Sequence, residues 1–226
     1  MLTNSPTQDG RPVYIEKLGG IDLAAMKTIT SEERMLKNLA VEYERLADPR
    51  LPACSRKSGY LLETCCTIMD FKGVGLMKAP QVYGYVKQVS AMSQNYYPER
   101  LGRLYLINTP WGFGTVWNVV KGWLDPVTVE KIHVLGSGYT SELLKQVPVE
   151  NLPKEFGGTC ACAGGCEFSD MGPWREEQWA RPAKWEKGTT IATAPAEVKE
   201  FGDSAAATGP PVPAADEAKA PAPAAA

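Results

Sequence analysis

Histidine is nearly absent: His133 is the only one in 226 residues. That excludes histidine-rich metal sites and leaves a histidine-based catalytic triad hanging on one residue. Basic excess is also missing, with 24 Lys and Arg against 26 Asp and Glu and a formal net charge of −2. Composition therefore gives no support for nucleic-acid binding. No run of 18 apolar residues occurs, so no transmembrane helix is expected. The first residues, MLTNSPTQDGRP, are polar and hold no hydrophobic stretch of the secretory kind. Six cysteines without such a signal read as reduced thiols of a cytoplasmic protein. No phosphate-cradling glycine loop and no G-x-S-x-G elbow is present. Glu63, Asp70 and Asp125 do not make a paired-carboxylate signature.

The most informative stretch is 96–136. Two strand-like runs, 103–108 (RLYLIN) and 131–135 (KIHVL), flank a very apolar helical segment over 111–124. Its apolar residues are Trp111, Phe113, Val116, Trp117, Val119, Val120, Trp123 and Leu124, and Lys121 is its only charge before Asp125. A crossover helix that covers a sheet normally has one polar face. This one is apolar nearly all round, so it is either wholly buried or faces something greasy that is not protein.

Strand and helix patterns alternate along the rest. Residues 12–18 (PVYIEKL) form a first strand, ended by Gly19 and Gly20, with a short helix around 23–28. Thr30 with Glu33 has the spacing of a capping box. The following helix carries Met35, Leu36, Leu39, Tyr43 and Leu46 near helical spacing, and Pro49 and Pro52 bend it near its end. Residues 63–71 (ETCCTIMDF) form a buried strand, Gly73 and Gly75 turn the chain, and 79–95 make a second long helix. A short helix over 139–146 follows the last strand. Strands separated by helices of this length predict an α/β domain with a mixed, mostly parallel sheet of four or five strands. From Ala183 the chain is rich in Ala, Pro, Thr and Glu, too poor in apolar residues to offset its ordering entropy. The domain is placed at residues 1–174, with its folded part over roughly 10–174, and a disordered Ala/Pro-rich tail at 175–226.

Cys160-x-Cys162-x3-Cys166 raises a metal hypothesis, with Cys54 or His133 as a distant fourth ligand. The spacing is not the usual C-x2-C pairing, so the expectation is exposed thiols in a glycine-rich loop, no metal and no cofactor. Cys65 and Cys66 are neighbours on a strand and face opposite sides, which makes a bond between them geometrically poor.

The strings TSEERMLKNL, LPACSR, ET-x-CTIMD-x-KG, SQNYYPERLG, WLDPVTVEKI, ELLKQVP-x-ENLP-x2-FGG and SDMGPWR, in this order between about Gly10 and Arg175, resemble the CRAL-TRIO family of fungal phosphatidylinositol/phosphatidylcholine transfer proteins. The resemblance implies a hydrophobic pocket floored by the sheet and closed by a mobile gate helix, with one phospholipid held inside and exchanged on membranes. The gate falls on Trp111, Phe113, Val116, Trp117, Val120 and Trp123. The inositol headgroup residues fall on Glu99, Thr128 and Lys131. The choline headgroup residues fall on Tyr14, Tyr43, Cys65, Thr67 and Arg100. Cys65 stands where the family has a serine, and a thiol is the weaker hydrogen-bond donor. A further family tyrosine falls where this chain has Thr3. The family's N-terminal helical region is not in this sequence, and an α/β domain lacking that partner is expected to expose apolar surface.

Implied with the resemblance are transient contact with membrane surfaces, peripheral on the Golgi, presentation of phosphatidylinositol to a lipid kinase, no covalent chemistry and no nucleic-acid partner. The alternative is a regulatory or interaction module of the same family that binds lipid without transferring it. A thiol enzyme built on Cys65 or Cys66 is the third reading, and it requires a low-pKa thiol.

Overall fold

The computed structural model describes residues 2–4 and 7–182. Its centre is a five-stranded sheet in the order β1-β2-β3-β4-β5. The strands are β1 (Leu2–Asn4), β2 (Val13–Lys17), β3 (Cys65–Asp70), β4 (Leu101–Ile107) and β5 (Ile132–Val134). β2 to β5 run parallel, and β1 joins the edge antiparallel to β2. This is the expected mixed, mostly parallel α/β sheet. β1 lies in a polar start that carries no strand pattern, and only its pairing with β2 makes it a strand.

Parallel neighbours need crossovers long enough to hold helices. Between β2 and β3 lie α1 (Leu23–Ile29), α2 (Glu32–Arg45) and α3 (Leu51–Ser58). The cap of α2 is Ser31, whose hydroxyl accepts from the Arg34 amide at 3.3 Å, rather than Thr30. Thr30 instead closes α1, its amide donating to the Met26 carbonyl at 3.0 Å. The bend expected near Pro49 is real: between α2 and α3 the backbone leaves the helix at Asp48, with φ −155° and ψ 116°.

α4 (Tyr83–Tyr96) leads from β3 to β4, entered through a 3-10 turn over Leu76–Gln81. α5 (Phe113–Val120), a 3-10 turn over Lys121–Trp123 and α6 (Pro126–Glu130) lead to β5. The single apolar segment read over 111–124 thus ends in a tighter turn. α6 is a further helix, started by Asp125, whose carboxylate accepts from the Val127 amide at 2.8 Å. α7 (Thr140–Leu144) follows β5.

Period-2 alternation gives the sheet two different faces. On one, Val13, Ile15, Cys66, Ile68, Tyr105 and Ile107 meet Tyr139, Leu143, Val147, Leu152 and Phe156 in one buried cluster. Ile68 and Ile107 are 0% exposed. Burying such a side chain contributes about 1.5–3 kcal/mol, so this face anchors the domain. The ion pair Lys17–Glu155 at 2.7 Å ties the strand end to the same covering segment.

A second cluster joins Leu46, Leu51, Ala53, Cys54, Leu62, Cys65 and Trp174. Here Arg50, 7% exposed, bonds both Glu42 and Asp170 at 3.2 Å and lies over the Trp174 ring. The SDMGPWR string therefore locks α2 and α3 in place. The chain stays docked beyond residue 174: the Arg56 guanidinium donates to the Trp179 carbonyl at 2.8 Å, and Lys57 pairs with Glu176 at 2.7 Å. Residues 183–226, most of the expected tail, lie outside the described residues.

Candidate functional site

The opposite face of the sheet presents Tyr14, Glu16, Thr67, Met69, Leu104, Leu106, Ile132 and Val134, by the strand register. Thr67 and Leu106 are buried, Val134 is exposed, and the others are half-buried. α2 and α4, each 14 residues long, contain no buried residue. Helices of that length sealed onto a sheet bury a continuous stripe. These two leave their apolar side chains in partial contact, so this side of the sheet is packed less tightly than the other.

α5 belongs to the same unsealed layer. Of its apolar residues only Phe113 is buried, edge-on to Phe71 with ring centres 4.9 Å apart. Val116, Trp117, Val120 and Trp123 are half-buried, Val119 is exposed, and Trp111 is 99% exposed. Trp123 meets the Tyr83 ring at 5.6 Å, and its carbonyl accepts from Gln94 at 3.3 Å, which leans this segment on α4. Of the two options left by the sequence, the structure removes the first: the segment is not wholly buried. Ile29, Leu61, Met77 and Phe168 add further exposed apolar surface.

The residues assigned to a choline headgroup gather at one end of this face, with one exception. Tyr43 projects from α2, and its hydroxyl shares a 2.7 Å hydrogen bond with that of Ser93 on α4. Its ring stacks on Tyr97 at 4.4 Å and 11°. Burial raises the pKa of both Tyr14 and Tyr43, and nearby Glu16 raises each further. Glu16 itself is pushed up by burial. The Cys65 thiol lies 3.8 Å from the Thr67 hydroxyl and donates to the Arg100 carbonyl at 3.4 Å. Arg100 departs from the group: its guanidinium donates to the Glu63 carbonyl at 3.3 Å and lines a cavity of about 300 Å³ beside Leu51, Leu61 and Leu62. Only its backbone faces Cys65. Thr3 pairs with Tyr14 in the strand register.

Glu99, Thr128 and Lys131 form a second group at the start of β4 and the end of α6. Lys131 Nζ lies 3.9 Å from Glu99 Oε2, and the Lys131 amide donates to the Thr128 carbonyl at 3.1 Å. Glu99 holds a left-handed backbone at φ 60°, uncommon without glycine, and its side chain is largely exposed. Lys131 lines a cavity of about 370 Å³ with Arg11, Arg103, His133 and Glu130. Lys131, Arg11 and Arg103 bring three cations to it beside Glu130, with Arg103 and His133 on the Tyr105 side of the sheet.

Three contributors were given no role at the sequence level: Ser93, which holds the Tyr43 hydroxyl, and Tyr97, which stacks on Tyr43, both inside the string SQNYYPERLG, and Glu16. Period-2 alternation in VYIEK does place Glu16 beside Tyr14, and that signal was available. Arg11 and Arg103 were legible only as charges, because their convergence on Lys131 comes from sheet register.

The cysteines divide as adjacency requires. Cys66 faces the sealed core and Cys65 the second cluster. Burial pushes the Cys54 and Cys66 thiols up to about 12 and raises Cys65 as well. Burial thus works against the low-pKa thiol that the thiol-enzyme reading requires. Cys160, Cys162 and Cys166 are partly buried rather than exposed, and their sulfur atoms converge within 4.8 Å. Cys54 sits in the second apolar cluster, and His133 stacks on Tyr105 at 5.0 Å, so neither joins them as a fourth ligand. No helix among the described residues is long and apolar enough to cross a membrane.

A family model described as CRAL/TRIO domain matches residues 2–158. The chain belongs to that family. It is 60% identical over 171 residues to the Sec14 cytosolic factor of Schizosaccharomyces pombe, covering 76% of this chain and 60% of that one. The SEC14 cytosolic factor of Kluyveromyces lactis is 58% identical over 177 residues, with 77% and 59% covered. The phosphatidylinositol/phosphatidylcholine transfer protein SFH4 of Arabidopsis thaliana is 40% identical over 174 residues, with 76% and 29% covered. The chain thus spans about 60% of the length of these two fungal relatives.

Proposed function

We propose that this CRAL/TRIO chain binds one phospholipid, phosphatidylinositol or phosphatidylcholine, and carries it between membranes without covalent chemistry. The observation that carries the reading is the unsealed sheet face under α2, α4 and α5, bordered by two polar groups of different chemistry. Acyl chains drive binding by filling that space, at about 0.8 kcal/mol per buried methylene. An inositol phosphate is held by Lys131, Thr128 and Glu99. A choline cation is held against the Tyr14, Tyr43 and Tyr97 rings, since aromatic faces attract quaternary ammonium groups. Cys65 and Thr67 border that cation site through their thiol and hydroxyl.

α5 is the gate in this reading. Its apolar residues rest on Phe71 and α4 without being sealed, and exposed Trp111 at its start meets the membrane interface. The name of the Arabidopsis relative supports the two lipid classes. Work at Golgi membranes and delivery of phosphatidylinositol to a kinase belong to the same proposal and rest on family resemblance.

The test is transfer of labelled phosphatidylinositol and phosphatidylcholine between donor and acceptor vesicles. Protein-dependent movement of both lipids is expected. Retention of lipid without movement overturns transfer in favour of a lipid-binding regulatory module.

A further inference from the structure

Three cysteines beyond α7 have no part in lipid binding. Cys160, Cys162 and Cys166 span six residue steps, about 20 Å in an extended chain. Folded, Cys160 Sγ lies 3.7 Å from Cys162 Sγ and 3.8 Å from Cys166 Sγ, and all three sulfurs lie within 4.8 Å of one another.

Specific backbone features produce this convergence. The Cys160 amide donates to the Leu152 carbonyl at 3.0 Å, and its carbonyl accepts from the Lys154 amide at 3.2 Å. Cys160 is thereby fixed to the segment that seals the sheet. The chain then reverses, with the Gly165 amide donating to the Cys162 carbonyl at 3.0 Å. Gly164 and Gly165 take φ 79° and 98°, a left-handed region that glycine enters without steric cost. The reversal returns Cys166 to the core edge, where its thiol donates to the Cys160 carbonyl at 3.6 Å.

The sulfur spacing has a chemical meaning. Thiolates about 2.3 Å from a shared metal, in tetrahedral or trigonal array, lie about 3.8–4.0 Å from each other. Two of the three pairs already stand near that distance, well beyond the ~2.05 Å of a disulfide. Cysteine sulfur is a soft ligand that selects zinc and copper(I) over hard cations.

We propose that Cys160, Cys162 and Cys166 form a three-thiolate site for one soft d10 cation, zinc(II) or copper(I), which pins the loop after α7 to the sealed side of the sheet. Three thiolates complete the coordination of copper(I), while zinc(II) adds water as a fourth ligand. Binding displaces the thiol protons to solvent, with no change in sulfur oxidation state. The site is independent of the lipid reading, because none of its ligands borders the lipid space.

The test uses the full chain, purified reduced and without oxygen. Zinc(II) alone and copper(I) alone are titrated against chromophoric competitors, and the melting temperature is followed in parallel. One equivalent of either metal per chain and a higher melting temperature are expected, since a ligand of the folded state stabilises it. Cys162→Ser and Cys166→Ser should each lower affinity at least 10-fold, with far-ultraviolet circular dichroism unchanged. Cys162→Ser is the safer variant, because Cys162 is not packed against the core cluster. Cobalt(II) in place of zinc should give sulfur-to-metal charge-transfer absorption in the wild type alone. Failure to retain either metal at micromolar concentration overturns the proposal, as does retention unaffected by both variants. Recovery of the reduced preparation only as a Cys160 disulfide overturns it too.

Discussion

The two faces of one sheet have been built to different standards. On the face under α7 the alternate residues of β2, β3 and β4 interlock with 139–156, and Ile68 and Ile107 are fully buried. On the face under α2, α4 and α5 the intervening residues of the same strands are mostly half-buried, and two long helices bury nothing completely. Strand propensity is common to both, so the difference lies in the covering layer. A segment that supplies Leu143, Val147, Leu152 and Phe156 seals a sheet. A layer that supplies Tyr43, Tyr85 and Trp117 at partial contact leaves room for a guest. Stability is concentrated on the first face and binding on the second.

The comparison breaks most visibly under truncation. Ile107→Ala on the sealed face should cost about 3 kcal/mol of unfolding free energy. Leu104→Ala on the open face should cost less than about 1 kcal/mol in lipid-free protein, since no close-packed cavity is created. Urea unfolding of both variants measures this, and equal costs would show that both faces are closed cores.

Headgroup chemistry comes next. Lys131→Ala removes a charged donor worth about 1.5–3 kcal/mol, so phosphatidylinositol retention should fall roughly 10- to 100-fold with phosphatidylcholine spared. Equal loss of both lipids in a competition assay would remove Lys131 from the inositol site.

A smaller effect separates the faces by pH. Burial raises the Glu16 pKa above the ~4.3 of an unfolded chain, so the folded state holds this proton more tightly. The associated stability is present at low pH and is lost as pH rises through the raised value. Glu16→Gln should therefore melt a few degrees above wild type at pH 7, with the gap closing below about pH 4. A constant gap across that range would detach it from ionisation.

The smallest change is Cys65→Ser. A hydroxyl beside Thr67 and the Arg100 carbonyl is a better hydrogen-bonding group than a thiol, worth about 0.5–1.5 kcal/mol, so phosphatidylcholine retention should rise several-fold. Unchanged retention would mean that the thiol is already an adequate partner.

Much of this was legible in the sequence, and the gaps have physical causes. Four of the five strands follow from short apolar or alternating runs closed by glycine or proline. β1 does not, because an edge strand of three residues is made by its neighbour. The alternation of VYIEK predicts which side Tyr14 faces, but Ser93 and Tyr97 reach Tyr43 only when α2 and α4 cross. Arg100 carries a matching motif, yet its guanidinium turns to Glu63, since a motif constrains the backbone position more tightly than a long side chain. The cysteine loop was least legible: C-x-C-x3-C is no standard pattern, and the two left-handed glycines that close it are visible only in the backbone.

Purified chain extracted with organic solvent, and its lipid identified by mass spectrometry, tests the central claim most directly. The open face predicts close to one phosphatidylinositol or phosphatidylcholine per folded chain. Folded protein that carries no phospholipid, and takes up none from vesicles, would contradict it and leave the unsealed face without a guest.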